Sequence, residues 1–381
     1  MHIAVIGAGM IGAASARHLS LAGHQVTLVG PAEPGDAATH DGPFASHYDE
    51  GRITRQMDPW PFWSRASRAS IARYRDLEAQ TGVRFFSEVG ALMAGPEGSG
   101  QMQRLAGVRA RDDVPAELLQ DAELAERFPY FSFHPGTIGF HEASHAGHVN
   151  PRAMVRAQLA ACAAQGVTLV RDWVTDLSEG EGVTLTLSGG AQVRADRALI
   201  ATGGFSRSLT GEALDFTVYA RTATMFEVSE SQAEALAAMP SLIVLLPTGE
   251  DPYLLPPIRY PDGKVYLKMG GDTVDVPLET PEALTAWFRS GGNPEVGAQI
   301  EALLRGRMPG LEILSTLNLP CVTTFTPDNI PHFKALSDKV FTAFAACGRG
   351  AKNSDELGRL GGLLASGEAL PDWAFEAAVV A

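Results

Sequence analysis

His2-Ile3-Ala4-Val5-Ile6-Gly7-Ala8-Gly9-Met10-Ile11-Gly12, continued by Ala13-Ala14-Ser15-Ala16-Arg17-His18-Leu19, decides the reading of this chain. Residues 2–6 are a short apolar run of the kind that makes a buried parallel strand. A helix-forming stretch follows, Gly23 closes it, and Gln25-Val26-Thr27-Leu28-Val29 supplies a second strand. Strand, glycine turn, helix and strand fall within about thirty residues, the context a dinucleotide-binding fingerprint requires. Gly7 permits the tight turn, Gly9 lets backbone amides approach a pyrophosphate, and Gly12 lets helix and strand pack closely. Met10 and Ile11 open the helix, whose N-terminus offers the partial positive charge a pyrophosphate needs. One element departs from the pattern. Gly30 stands where an acid usually holds the ribose hydroxyls, so either Glu33 reaches back from the following turn or another group replaces the acid.

Farther along, residues 60–79 read as one helix with Trp63, Ile71, Tyr74 and Leu77 on roughly one face. A helix from Pro151, a strand over 167–170 and Val174 form a second αβ unit. A hairpin, 183–187 with 191–193, turns on Gly189-Gly190. The buried strand from Arg197 ends in Thr202-Gly203-Gly204, small residues that let backbone approach a ligand. From about 213 to 314 the texture changes to longer alternating strands, 216–228 and 265–269 among them, with helices near 279–289 and 294–306. The last stretch returns to the first style, with a strand over 340–346, a glycine-rich turn, and a helix from about Asp355.

The chain has 381 residues, enough for two domains. Hydrophobic residues at 45% and charged residues at 19% fit a packed globular enzyme. A formal net charge of -14 argues against a nucleic-acid partner, because phosphate binding needs clustered Lys and Arg. It leaves room for an anionic small substrate held by a few local cations. No stretch approaches the roughly 20 apolar residues of a membrane span. The apolar start has no basic leader, so no secretory signal is read and a cytoplasmic location is expected. Cys162, Cys321 and Cys347 are too few and too scattered for a disulfide framework. No histidine pairs with Cys or acids at metal-ligand spacing.

Several short stretches resemble the D-amino-acid-oxidase-type flavoproteins, most closely the branch of sarcosine oxidase and N-methyltryptophan oxidase. Ser46-His47-Tyr48-Asp49-Glu50-Gly51-Arg52-Ile53-Thr54-Arg55 resembles the family's S-H-x-x-x-x-R-x-x-R segment along the flavin. By this likeness Ser46, His47 and Arg52 would contact FAD, and Arg55 would grip a substrate carboxylate. Tyr266-Leu267-Lys268-Met269-Gly270 resembles the L-K-x-G setting of a lysine that activates dioxygen; taken alone, a strand lysine is ordinarily a snorkelling surface residue. Alternation sends Tyr266 and Lys268 to one face and Leu267 and Met269 to the other. Cys321, six residues before Pro327-Asp328, resembles the cysteine that carries a covalent flavin, although a lone cysteine is usually a small buried hydrophobe. Gly348-Arg349-Gly350-Ala351-Lys352 resembles the G-x-G-x-K turn, with Lys352 as the second carboxylate-binding cation. Val174 and Gly203 resemble adenine-side contacts.

The resemblance implies an α/β fold with a Rossmann-like FAD-binding domain at 1–85, 146–212 and 315–381. A substrate domain at 86–145 and 213–314 would be built on a mixed, largely antiparallel sheet. It implies oxidation of an amino acid or N-methyl amino acid to an imine, with dioxygen giving hydrogen peroxide, and alternatives are a dehydrogenase using another acceptor or a non-catalytic flavin-binding subunit. Two unpaired cations, Arg55 and Lys352, would call for an anionic substrate group. Gly51, Thr323 and Asp272 depart from the threonine, tyrosine and histidine common in the branch, so a different side-chain preference is expected.

Overall fold

The computed structural model describes residues 1–211, 214–272 and 274–376. Its organising element is a six-stranded sheet in the order His332–Ala335, Val340–Phe344, Arg197–Ile200, His2–Ile6, Gln25–Val29, Thr168–Val170. All neighbours are parallel except the edge strand His332–Ala335. The period-two alternation of the first strand sorts its side chains between two layers. Ile3 and Val5 pack with Ala13, Ala16 and Leu19 of the helix Met10–Leu21, and with Ala365 of the helix Gly350–Ser366. Ala4 and Ile6 face the other way, onto Val183, Leu185 and Leu187 of a three-stranded meander over Val174–Glu179, Val183–Leu187 and Gln192–Ala195.

Small residues let the two helices touch. A Cβ added at Gly358 would lie 2.5 Å from Ala14 Cβ and 2.7 Å from the Ser15 nitrogen. The contact therefore depends on a bare main chain at that position.

The second layer is a nine-stranded sheet in the order Val276–Pro277, Thr217–Val228, Val265–Gly270, Tyr253–Arg259, Ser241–Val244, Ala91–Pro96, Thr137–Glu142, Glu117–Gln120. Ser315–Phe325 runs along the free edge of Thr217–Val228. Only Ser241–Val244 and Ala91–Pro96 pair in parallel, so the sheet is mixed and largely antiparallel, as expected. Leu267 and Met269 enter its main core, while Tyr266 packs on the other side with Met225 and Tyr260.

Two expectations need correction. Residues 60–79 form two helices, Pro61–Ile71 and Tyr74–Thr81, and the break at Ala72-Arg73 coincides with the pinning of Arg73 to Asp355 at 2.6 Å and Glu356 at 2.5 Å. The last helix begins at Gly350 rather than near Asp355. The chain reverses earlier, through left-handed Ala345, Cys347 and Gly348 (φ 64°, 47° and 73°), so Gly350 is already free to be helical. Ser315–Phe325, assigned above to the FAD-binding domain, hydrogen-bonds along its length to Thr217–Val228 in the larger sheet. The division at 212/213 lies outside the described residues.

Candidate active site

A cavity of about 1480 Å³ lies where the C-terminal ends of the parallel strands meet the larger sheet. Gly7, Gly9, Met10 and Ile11 form part of its wall. Gly7 takes φ +110°, and a Cβ there would lie 2.5 Å from Ala201 O; one on Gly12 would lie 1.8 Å from Gly7 O. Gly12 is thus a packing position behind the wall rather than on it. The helix starts on Gly9 without a side-chain cap or an acid in its first turn, and its first backbone bond is Ala13 N to Gly9 O at 2.9 Å. The preceding amides keep free donors that a pyrophosphate could take. His47 is buried beside this turn with Nδ1 lacking a partner, and burial, aided by Arg152, Arg171 and Arg52, lowers its pKa to about 3. A neutral imidazole, bare helix amides and a roomy cavity fit FAD. Ser46, Val174 and Gly203 also line the wall.

Glu33 does not. Its carboxylate accepts from Arg152 Nε at 2.8 and 3.0 Å, and the same guanidinium reaches Glu50 Oε1 at 2.8 Å. Arg152 thus holds Glu33, one of the two alternatives for the ribose hydroxyls, off the cavity wall. Nor does the backbone leave room for a side chain at Gly30, where a Cβ would lie 2.4 Å from the Ala8 nitrogen.

Two clusters of charge stand farther along. Arg52 opens the short strand Arg52–Thr54 and reaches the cavity, with Nη2 3.4 Å from Cys321 Sγ and 3.4 Å from Ser46 O. Cys321 is half-buried and on the wall. Lys268 is fully buried and, unlike Arg52, lies behind the wall. Its ammonium donates to Asp49 Oδ2 and, at 2.9 Å, to Gly51 O. Asp49 also pairs with Arg52 and accepts from Tyr260 Oη at 2.8 Å. Burial and the Arg52 cation push Lys268 well below the ordinary lysine range. The Asp49 carboxylate in contact acts in the opposite sense, favouring the charged form.

In the second cluster, Asp58 is fully buried and meets three cations: Lys352 Nζ at 2.9 Å, Arg349 Nε at 3.2 Å and Arg55 Nη2 at 3.4 Å. Arg55, Arg349 and Lys352 all line the cavity. Lys352 sits in the first turn of the last helix, placed by the turn through Gly348 and Gly350. Burial acts to raise Asp58, but the Lys352, Arg349 and Arg55 cations outweigh it and hold the carboxyl well below its usual range. Burial pulls Lys352 down to about 7, with Arg55 acting in the same direction. Glu142, which accepts from the Gln56 and Met57 amides at 2.9 Å, is pushed up to about 7 by its burial.

The expectation that Arg55 and Lys352 are unpaired therefore fails, because both share Asp58. Asp49, Asp58 and Arg349 were missed as members of these clusters. Their signal was in the spacing: Asp49, Arg52, Arg55 and Asp58 recur every three residues, and each acid pairs with its nearer arginine.

Comparison with known proteins gives the family and a matching fold. The FAD dependent oxidoreductase (DAO) family matches residues 2–361, and the chain belongs to that family. It is 27% identical over 219 residues to "Uncharacterized oxidoreductase YurR" of Bacillus subtilis (strain 168), covering 54% of this chain and 55% of that one. It is 28% identical over 164 residues to N-methyl-L-tryptophan oxidase of Yersinia pestis (strain Pestoides F), covering 42% of each. The chain thus spans about half the length of these curated relatives. Its fold is similar to that of NikD, an unusual amino acid oxidase essential for nikkomycin biosynthesis (TM-score 0.76, 20% identity, 98% of this chain and 96% of that one). It is also similar to L-proline dehydrogenase from P. horikoshii (TM-score 0.77, 17% identity, 97% and 94%). Among the described residues no helix is long and apolar enough to cross a membrane, and no group of three or more His, Cys, Asp or Glu could hold a metal ion.

Proposed function

We propose that this protein is an FAD-dependent amine oxidase that converts an amino acid or N-methyl amino acid to its imine, with dioxygen reduced to hydrogen peroxide. The observation that carries the reading is the excess of cations around Asp58 on the cavity wall, three against one buried carboxylate. Such an excess suits a substrate carboxylate, which Arg55 and Lys352 would hold with Arg349 beside them. When bound, the flavin supplies acceptance of a hydride equivalent from the carbon next to the amine nitrogen. Gly7, Gly9, Met10, Ile11, Ser46, His47, Val174, Gly203, Gly348 and Gly350 would hold FAD, with Gly12 keeping the turn closed. The parallel sheet would be the FAD-binding unit and the larger sheet the substrate roof. Arg52 would set the electrostatic field at the flavin, and Cys321 would carry it covalently. Lys268 would serve the reaction with dioxygen by favouring a developing anion.

One observation favours a second reading. Lys268 lies behind the wall and is committed to Asp49, an arrangement suited to a dehydrogenase that passes electrons to another acceptor. Stopped-flow mixing with a panel of N-methyl and D-amino acids tests both. An oxidase bleaches its flavin and recovers colour rapidly in air, a dehydrogenase recovers only with an added carrier, and an unbleached flavin removes the enzymatic reading. Acid precipitation should leave the yellow chromophore in the pellet, and Cys321→Ala should release it; a colourless wild-type pellet rules out covalent attachment.

A further inference from the structure

We infer that the oxidised substrate carries a basic side chain, and that Asp272 receives its positive charge at a separate part of the cavity wall. The inference rests on the amino-acid reading above and deepens it. Asp272 follows the strand Val265–Gly270 through Gly271, and its carboxylate lines the cavity. One oxygen is fixed: Oδ2 accepts from the Thr222 amide at 2.8 Å. The other, Oδ1, is buried and has no partner among the described residues. An ionised carboxylate with one oxygen unsatisfied is a costly arrangement unless a cation is brought to it.

The protein sets no cation in contact with it; Arg221 acts on it only from a distance. Arg221, across from it on Thr217–Val228, is paired with Asp275 at 2.5 Å, donates to Ala220 O at 3.1 Å and lies over the Tyr219 ring. Arg52 is occupied by Asp49 and Cys321. Tyr253, on the adjoining strand, is a phenol whose burial pushes it up to about 12, so it stays neutral. Two acids, Asp272 and Asp275, thus share one cation here, the reverse of the three cations that share Asp58. Burial of Asp272 shows in its carboxyl, raised to about 6, still ionised at neutral pH. Space is supplied by the cavity itself, whose wall includes Gly270, Gly271 and Asp272 in succession. A substrate with a carboxylate at one end and an ammonium or guanidinium at the other matches this charge layout in a way a neutral side chain does not.

The test compares isosteres with the FAD-loaded enzyme at pH 8, where Asp272 is ionised. Nα-methyl-lysine should show kcat/KM at least about tenfold above Nα-methyl-norleucine, roughly the effect of one satisfied charge contact. Asp272→Asn, which keeps an oxygen for the Thr222 amide, should bring that ratio to about one, and Asp272→Glu should restore part of it. A ratio near one in the wild type, or one that survives in Asp272→Asn, overturns the inference. A binding measurement separates this failure from that of the parent reading. Butylguanidinium, which lacks a carboxylate, should perturb the flavin spectrum with a Kd weakened about tenfold by Asp272→Asn, while hexanoate should be affected far less. If no amino acid reduces the flavin but butylguanidinium still depends on Asp272, the cation subsite stands and the amino-acid reading falls. Equal butylguanidinium binding by both proteins overturns the subsite.

Discussion

Asp49 and Asp58 flank the same pair of arginines at equal spacing, yet they build opposite environments. Asp49 serves Lys268, Arg52 and Tyr260, and the lysine is withdrawn behind the cavity wall. Asp58 serves Arg55, Arg349 and Lys352, all of which remain on that wall. A carboxylate placed behind a cation can either hide its charge or aim it, and what decides is the number of cations that share it. Two cations on Asp49 leave a modest surplus, displayed by Arg52 alone. Three on Asp58 leave a surplus that a ligand can still exploit, and the Glu142 carboxyl nearby offsets it only as it ionises.

The largest expected effect breaks the second cluster. Asp58→Asn leaves three buried cations without their shared carboxylate, and unfolding stability should fall by about 3–5 kcal/mol. Denaturant titration measures it; a loss below about 1 kcal/mol would mean that Asp58 does not balance the cluster. Next comes the first cluster. Lys268→Met should slow reoxidation of reduced flavin by air about a hundredfold or more, since each 1.4 kcal/mol is about tenfold, with anaerobic reduction by substrate affected less. An unchanged reoxidation rate removes Lys268 from the oxygen reaction. Asp49→Asn sharpens the point: without the carboxylate, burial and Arg52 act alone on Lys268, so reoxidation should slow and its decline with rising pH should set in at a lower pH than in the wild type.

The smallest effect is the pH response of carboxylate binding. Lys352, near 7, loses its proton as pH rises through that value, and Glu142, also near 7, gains a negative charge over the same interval. Both changes weaken an anion, so the Kd of a carboxylate inhibitor should rise by about tenfold at most from pH 6 to pH 8. Arg55, Arg349 and Asp251 also line this part of the cavity, with Asp58 behind them. A flat profile would assign the binding to Arg55 and Arg349 alone.

Local pattern exposed the parts of this molecule that local chemistry specifies. The turn Gly7-Ala8-Gly9 and the alternation at Tyr266 and Lys268 needed only neighbours in sequence, and both are seen. What escaped depends on distant partners. Lys268 meets Asp49 across 219 positions, and no pattern around either residue announces the pair. Glu33 was available to a ribose on sequence grounds, but Arg152, which claims it, lies 119 positions away. The early start of the last helix is masked by glycines that read as turn, because two non-glycine residues, Ala345 and Cys347, share the reversal with Gly348 and complete it before Gly350. The spacing of Asp49, Arg52, Arg55 and Asp58 was legible in principle and would have pointed to both clusters.

The close contact of Gly358 with Ala14 and Ser15 has a consequence for biosynthesis. The first strand and helix, with the strand Gln25–Val29 beside them, are translated well before the strand on the other side, Arg197–Ile200, and before the helix Gly350–Ser366 that covers them. Until those segments are translated, Ile3, Val5, Ala13 and Ala16 have only the local part of their core, Leu19, Val26 and Leu28, and lack Leu199, Phe341, Ala343 and Ala365. The nascent strand and helix must therefore stay shielded until Gly350–Ser366 is made, and the turn Gly7-Ala8-Gly9 gains its full packing only then. Chains halted before Gly350 should accumulate as aggregation-prone or chaperone-held species rather than as a stable first half.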